Sequence, residues 1–138
     1  MFTVQPIRST ELHREVCSHL NCDYIDGAYA FLAGEMSEDF SAVTSVFGIC
    51  QFTLDPAEAV IKNIAYSPDH KDDEAITIMV RAVMSFCHRA EVPSIAIETG
   101  AASEAYIKSI GFRQKDGAWR VDLIKFYSSP CHYNAENK

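Results

Sequence analysis

Three consecutive acids, Asp72, Asp73 and Glu74, stand between a strand-like run and a long helix-like run, within the segment SPDHKDDEAI at residues 67–76. Many proteins bind a phosphate at such a junction, because the first N–H groups of a helix have no partner inside the helix. Acids at this place complement the helix dipole and can accept hydrogen bonds from those N–H groups. The pattern therefore indicates that the protein's own carboxylates fill the anion-binding position.

The helix that follows these acids has the strongest pattern in the chain. Over residues 73–90, apolar side chains recur at helical spacing, and a polar face lies opposite them. The apolar positions are Ile76, Met79, Val80, Val83, Cys87 and Ala90, and the polar positions are Thr77, Arg81, Ser85 and His88. This spacing predicts a long amphipathic helix that packs against a sheet.

The rest of the chain alternates between strand and helix patterns. A helix capped by Ser9 or Thr10 is expected to carry Leu12, Val16 and Leu20 on one face, and a short helix over residues 102–110 is ended by Gly111. No prediction is made for residues 34–43 beyond a strand end at Gly34. Strands are predicted at residues 2–8, 28–33, 45–54, 59–67, 94–100 and 119–127.

The resulting order is β-α-β-β-β-α-β-α-β, which predicts an α/β (α+β) fold with a mixed, mostly antiparallel sheet. The long helix connects two strands, so these should form a central parallel pair. We expect a single domain over residues 1–127 and a loosely held C-terminal tail over residues 128–138.

Composition excludes several classes of function. The formal net charge of -7 disfavours nucleic acid and anionic membranes as partners. No apolar run is long enough to span a membrane, no signal peptide is expected, and the five cysteines form no CxxC pair, so reduced thiols and a cytoplasmic location are expected. Cys17, His19 and Cys22 lack a standard zinc spacing, so no metal is predicted. GxSxG, Walker-type and GxGxxG motifs are missing.

The segments IKNIAYSPDHK, IAIETG and AYIKSIGF, in this order and spacing, resemble the GNAT-type N-acyltransferases. The resemblance covers residues 45–127. It implies transfer of an acyl group from acetyl-CoA, or another acyl-CoA, to a small amine, and it leaves a homodimer open. It also implies that the parallel strands splay apart to hold the cofactor. The implied cofactor-binding residues are Ile64, Ala65 and Tyr66 on the strand, and Lys71, Asp72, Asp73, Glu74, Ala75 and Ile76 in the loop.

The cofactor loop departs from the family pattern Q/R-x-x-G-x-G/A. Aligning Lys71 with its first position places Glu74 and Ile76 where the family has small residues. Glycine would let the backbone approach a phosphate, whereas Glu74 adds bulk and negative charge. Weak CoA binding is therefore expected. The alternative is a catalytically weak or inactive module of the same fold that binds a metabolite or a protein partner.

Acyl transfer also needs a base for the amine and a proton for the departing thiolate. Many members carry a tyrosine four residues before the glycine of the Gly-Phe pair; here that position is Ile107, and its neighbour Tyr106 is our candidate acid. Lys62 lies near the place where many members have a glutamate base. Glu58 and Glu98 are therefore our candidate bases, and His70 is a further possibility.

Overall fold

A computed structural model describes residues 1–70 and 72–128. Its strands are β1 (Phe2–Pro6), β2 (Tyr29–Met36), β3 (Val43–Leu54), β4 (Ala59–Tyr66), β5 (Ser94–Ile97), β6 (Arg113–Lys115) and β7 (Ala118–Asp122). Its helices are α1 (Thr10–His19), α2 (Asp73–Arg89), α3 (Glu104–Ser109) and α4 (Leu123–Tyr127), and a 3₁₀ turn spans Pro68–His70. The predicted tail from residue 129 onward and Lys71 lie outside the described residues.

The strands form one mixed sheet in the order β1-β2-β3-β4-β5-β7-β6. Only β4 and β5 pair in parallel, and every other neighbouring pair is antiparallel. The predicted fold class and its central parallel pair are thus confirmed. No helix in the described part of the chain is both long and apolar enough to cross a bilayer.

Helices cover both faces of the sheet and define two cores. On one face α2 buries Ile76, Met79, Val80 and Val83 against β3, β4 and β5. On the other face α1 packs with its own small cluster, which includes Val16, Cys17 and Leu20. The predicted apolar face of α1 is wrong at Leu12, which is 40% exposed, because the buried stripe runs through His13, Val16 and Cys17.

Several predicted strand ends are also wrong: the strands predicted over residues 2–8 and 94–100 end at Pro6 and Ile97. Strand β2 does not stop at Gly34 but continues to Met36, since a β-bulge beside Gly34 keeps it paired with β3. The last predicted strand, residues 119–127, is β7 only as far as Asp122. The side chain of Asp122 then accepts a hydrogen bond from the Lys125 N–H at 3.0 Å and caps α4. The short edge strand β6 was not predicted.

Candidate functional site

The parallel pair opens into a cleft halfway along β4. Pairing with β5 covers only Ala59, Val60 and Ile61, and ends with a hydrogen bond from the Glu98 N–H to the Ile61 carbonyl oxygen at 2.9 Å. Strand β4 nevertheless continues to Tyr66, paired with β3 alone. The second half of β4 therefore has one edge that β5 does not cover, and we call this gap the cleft.

A β-bulge at Lys62 marks the point where the strands part. Ile61 lies opposite Phe52 of β3, and Asn63 lies opposite the preceding residue, Gln51, so Lys62 is the extra residue. Such an insertion bends a strand and increases its twist. The bulge thus turns the end of β4 away from β5, and Gln51 supports it by donating a hydrogen bond from Nε2 to Asn63 Oδ1 at 3.1 Å.

The predicted cofactor-binding residues of β4 lie beyond its last bond to β5. The Ser67 N–H donates to the Phe47 carbonyl oxygen of β3 at 2.7 Å. Because backbone groups alternate along a strand, those of Ile64 point to the opposite side, toward the cleft. The Ile64 side chain packs against the core under α2, Ala65 packs against the core under α1, and Tyr66 is exposed at the strand end.

The first turn of α2 follows β4 and the 3₁₀ turn, and two of its N–H groups already have an acceptor. Asp72 is the N-cap, and its Oδ1 accepts from the N–H groups of Glu74 at 3.0 Å and Ala75 at 3.2 Å. Its carbonyl oxygen accepts from the Ile76 N–H at 3.0 Å. The protein's own carboxylate thus occupies the position at which a helix N-terminus would bind a phosphate, as the sequence pattern indicated.

The loop residues differ in exposure, which separates their roles. Asp72, Asp73 and Glu74 are exposed. Ala75 and Ile76 are buried, with only 6% and 4% of their surface exposed. Ile76 packs over Gly48 of β3, where an added Cβ would lie 2.8 Å from Ile76 Cδ1. The missing side chain at Gly48 therefore allows the first turn of α2 to approach the sheet beside the cleft.

Tyr106 of α3 reaches across to α2, and its hydroxyl oxygen lies 2.7 Å from Thr77 Oγ1. Thr77 has one hydroxyl hydrogen, which it donates to the Asp73 carbonyl oxygen at 2.7 Å. Tyr106 must therefore be the donor in the first bond. Ile107 lies four residues before Gly111, where many GNAT-type members have a tyrosine. It is 2% exposed and belongs to the core.

Burial is the main cause of a raised pKa at Tyr106. Desolvation of the phenolate is the largest effect, and the Asp73 carboxylate also raises this pKa, whereas the nearby Arg81 cation lowers it. The phenol therefore keeps its proton at neutral pH and has the protonation state of a general acid.

Glu58 lies just before β4, at the end of the parallel pair remote from the cleft. One of its oxygens accepts from Arg120 Nε at 2.7 Å and from Ser94 Oγ at 2.9 Å. The hydrogen bond from Arg120 lowers the pKa of the Glu58 carboxyl, and Ser94 adds to this effect. The arrangement links the loop before β4 to β5 and β7.

Glu98, in contrast, lies where β4 and β5 part. Its Oε2 forms an ion pair with Lys62 Nζ at 2.9 Å, and both side chains remain partly exposed. The pair therefore joins the bulge on one strand to the end of the other. Nothing is described for the side chain of His70, the remaining candidate base.

Sequence reasoning missed two members of this site. Thr77 was noted only as a polar position of the long helix. Lys62 was noted only because it lies near the place where many GNAT-type members have a glutamate base. The spacing of Asp73, Thr77 and Arg81 at intervals of four residues was the available signal, because it places all three on the helix face that meets α3 and α4.

Metal-ligating side chains do not gather in the residues that the structure describes: no group of three or more His, Cys, Asp or Glu is close enough to hold an ion. Cys17 is buried, and burial, together with the neighbouring Cys22, raises the pKa of its thiol to about 12. A protonated thiol is a poor metal ligand.

Comparison with known proteins identifies the fold. No family model matches the sequence, and a search of curated proteins finds no match. Among solved structures, the ribosomal-protein-S18-alanine N-acetyltransferase from Escherichia coli is similar, with 15% identity, a TM-score of 0.62 and coverage of 87% of this chain and 89% of that chain.

Two further structures are similar at the same level. Escherichia coli YhhK, assigned as an N-acetyl transferase and solved bound to coenzyme A, has 10% identity, a TM-score of 0.61 and coverage of 88% of this chain and 98% of that chain. A GNAT-family acetyltransferase from Streptococcus pneumoniae has 13% identity, a TM-score of 0.60 and coverage of 82% and 88%. The protein thus has the GNAT fold.

Proposed function

We propose that this chain is a GNAT-type N-acyltransferase that moves an acyl group from acetyl-CoA, or another acyl-CoA, to a small amine. The observation that carries this proposal is the splayed parallel pair, in which β4 continues beyond its last bond to β5 and borders an open cleft. Fold likeness to acetyltransferases, one of them solved with coenzyme A, adds support.

The cleft and the helix N-terminus differ in how well they fit an acyl-CoA. The backbone of Ile64, with Ala65 and Tyr66 beside it, forms an open strand edge. An extended pantetheine arm could hydrogen-bond to this edge in the way that an added peptide strand bonds to the edge of a sheet. When bound, the acyl-CoA would supply an activated acyl group as a thioester. The pyrophosphate fits less well, because the N–H groups of Glu74 and Ala75 already donate to Asp72.

Tyr106 is the proposed donor of the proton that the departing sulfur needs. Its hydroxyl is protonated at neutral pH and is directed toward Thr77. Glu98, at the point where the strands part, is the proposed base for the amine, acting through a water. Glu58 is a less suitable base because Arg120 and Ser94 engage its carboxylate at the other end of the strand pair. The thiols of Cys17, Cys22, Cys50 and Cys87 form no disulfide, which supports a cytoplasmic location.

The alternative is a module of the same fold that binds a metabolite or a protein partner without efficient catalysis. The internal cap by Asp72, with Asp73 and Glu74 beside it, is the observation that favours this function. A CoA pyrophosphate at this helix end would face three carboxylates rather than free N–H groups.

Calorimetric titration with CoA and acetyl-CoA, followed by a thiol-release assay with a panel of primary amines, tests both proposals. Saturable CoA binding with amine-dependent thiol release supports the enzyme. If neither CoA nor acetyl-CoA binds with a Kd below about 1 mM, which corresponds to a binding free energy of about -4 kcal/mol, the binding module is favoured.

A further inference from the structure

A groove lies away from the cleft, between α4, the end of α3 and the β6–β7 hairpin. Its volume is about 820 Å³, which is in the range of small-molecule sites. Ile64, Tyr66 and Asp72 do not line it, so it is distinct from the cleft between β4 and β5. Its apolar wall consists of Ile110, Val121, Ile124 and Phe126.

The charge of this groove opposes that of the whole chain. Five basic and two acidic side chains line it, in a protein whose formal net charge is -7. One of the acids, Asp122, is engaged as the N-cap of α4. One of the bases, Arg120, is paired with Glu58. Capping leaves Asp122 its negative charge, so the four other basic side chains face two carboxylates and the groove has a positive potential.

Arg81 is the partly buried cation of this groove. In the part of the chain that the structure describes, it forms no ion pair. Among the described residues, its guanidinium donates only to the sulfur of Met84, at 3.4 Å, and it lies 5.2 Å from the centre of the Phe126 ring. A sulfur and a ring face are weak compensation for a partly desolvated charge, whereas a carboxylate matches the guanidinium geometry.

We propose that this groove binds a small organic anion, a carboxylate with an apolar body, whose charged end contacts Arg81. The apolar part would lie against Ile110 and Ile124, and Arg113 and Lys125 would add to the attraction. Ile124 is 61% exposed, so an apolar body there would cover surface that meets water.

Hexanoate is the probe, titrated at low salt and followed by the NMR amide shifts of residues 110–126. Hexylamine carries the same chain with the opposite charge, and acetate carries the carboxylate without the chain. Saturable binding of hexanoate, with acetate at least tenfold weaker and hexylamine not binding, is expected. Equal binding of hexylamine, or no saturable binding of hexanoate, would overturn the proposal.

Variants locate the site. Arg81→Met should weaken hexanoate binding about tenfold or more, because a charge-assisted hydrogen bond is lost. Arg89→Met is the matched control, since Arg89 lies on the same helix, bonds to Ser85 and does not line the groove. Equal affinity in Arg81→Met and Arg89→Met would show that Arg81 does not hold the anion.

A second variant does not depend on the packing of Arg81. Ile124→Glu places a carboxylate in the groove at an exposed position, so the fold is retained while the anion is repelled. Ile78→Glu is its control, because Ile78 is also exposed and lies outside the groove. The proposal requires Ile124→Glu to lose hexanoate binding and Ile78→Glu to keep it; any other ranking of the two contradicts it.

Discussion

The hydroxyl oxygens of Tyr106 and Thr77 lie 2.7 Å apart and join α3 to α2 beside the cleft. Tyr106 donates in this bond, so its proton is held in a fixed direction until a stronger acceptor enters. The phenol is therefore protonated in this arrangement, as the proposed role of Tyr106 as a proton donor requires.

If Tyr106 supplies the proton, Tyr106→Phe should lower turnover by roughly 10²-fold and leave CoA affinity nearly unchanged. The raised pKa also predicts that activity persists into alkaline solution, until pH exceeds the ordinary phenol value of 10.0. Tyr127→Phe is the control, since Tyr127 is likewise partly buried but stacks on His88. Steady-state kinetics that show no loss in Tyr106→Phe would remove Tyr106 from the mechanism.

The internal cap of α2 predicts that CoA binds weakly and that two substitutions of Asp72 act differently. Asp72→Asn keeps a capping oxygen and removes a charge, so it should tighten CoA binding by about 0.7–3 kcal/mol if the charges lie ~6 Å apart. Asp72→Ala also frees the N–H groups of Glu74 and Ala75, and should lower the free energy of unfolding by about 1 kcal/mol.

Calorimetric titration at two salt concentrations and urea unfolding measure these two effects separately. The tightening in Asp72→Asn should shrink at high salt, because mobile ions screen the repulsion that the substitution removes. CoA affinity that is unchanged in both variants would mean that the pyrophosphate does not approach this helix end.

Substituting Glu98 and Lys62 one at a time distinguishes a catalytic role of Glu98 from a structural role of their ion pair. A base at Glu98 predicts that Glu98→Gln lowers turnover by about 10²-fold or more, while Lys62→Met, which breaks the same ion pair, lowers it far less. Both side chains are partly exposed, so either variant should lose less than ~1 kcal/mol of stability. Equal loss of turnover in the two variants would assign the pair to holding the strands.

The carboxylate of Glu58 predicts a pH-dependent contribution to stability. Arg120 lowers the folded-state pKa of Glu58 below its ordinary value of 4.5, so the ionised group stabilises the folded protein above that pH. This stability is lost as the pH falls through the folded-state pKa. Wild type should therefore be more stable than Glu58→Gln at pH 7, and the difference should vanish in acid.

Unfolding by urea across a pH series checks this, with Glu38→Gln as a control at an exposed turn. A difference between wild type and Glu58→Gln that stays constant from neutral to acidic pH would show that Arg120 does not stabilise the ionised carboxylate.

The contact of Gly48 with Ile76 predicts a specific double-mutant result. Gly48→Ala would bring a Cβ to 2.8 Å from Ile76 Cδ1 and 3.2 Å from the Ala65 oxygen, so either the Ile76 side chain or the first turn of α2 must shift. The expected cost is about 1–3 kcal/mol. Ile76→Val removes the Cδ1 atom, so Gly48→Ala should cost less in that background; additive costs in a double-mutant cycle would contradict the clash.

The sequence was sufficient to predict α2 almost to the residue, because seventeen residues follow one helical period and acids mark the start. It failed after Asp122, where the alternation of residues 119–127 suits a strand. The capping bond from Asp122 to the Lys125 N–H starts α4 instead. A residue pattern that allows both structures cannot by itself decide between them.

The bulge at Lys62 could not be predicted for a different reason. Whether a strand contains an extra residue depends on which residues of β3 lie opposite it, and this register is a property of the pair rather than of either sequence. The partners of Tyr106 and Glu98 likewise became visible only when the order and tilt of the elements were known.

The bulge also divides β4 into two halves that should open at different rates. Residues before Lys62 are bonded on both sides, to β3 and β5, whereas those after it are bonded to β3 alone. Local opening should therefore begin in the second half, and its amide hydrogens should exchange with deuterium sooner than those of Val60 and Ile61. Any molecule that adds to this edge would slow that exchange, so isotope uptake along a single strand would record occupancy of the cleft without a chemical assay.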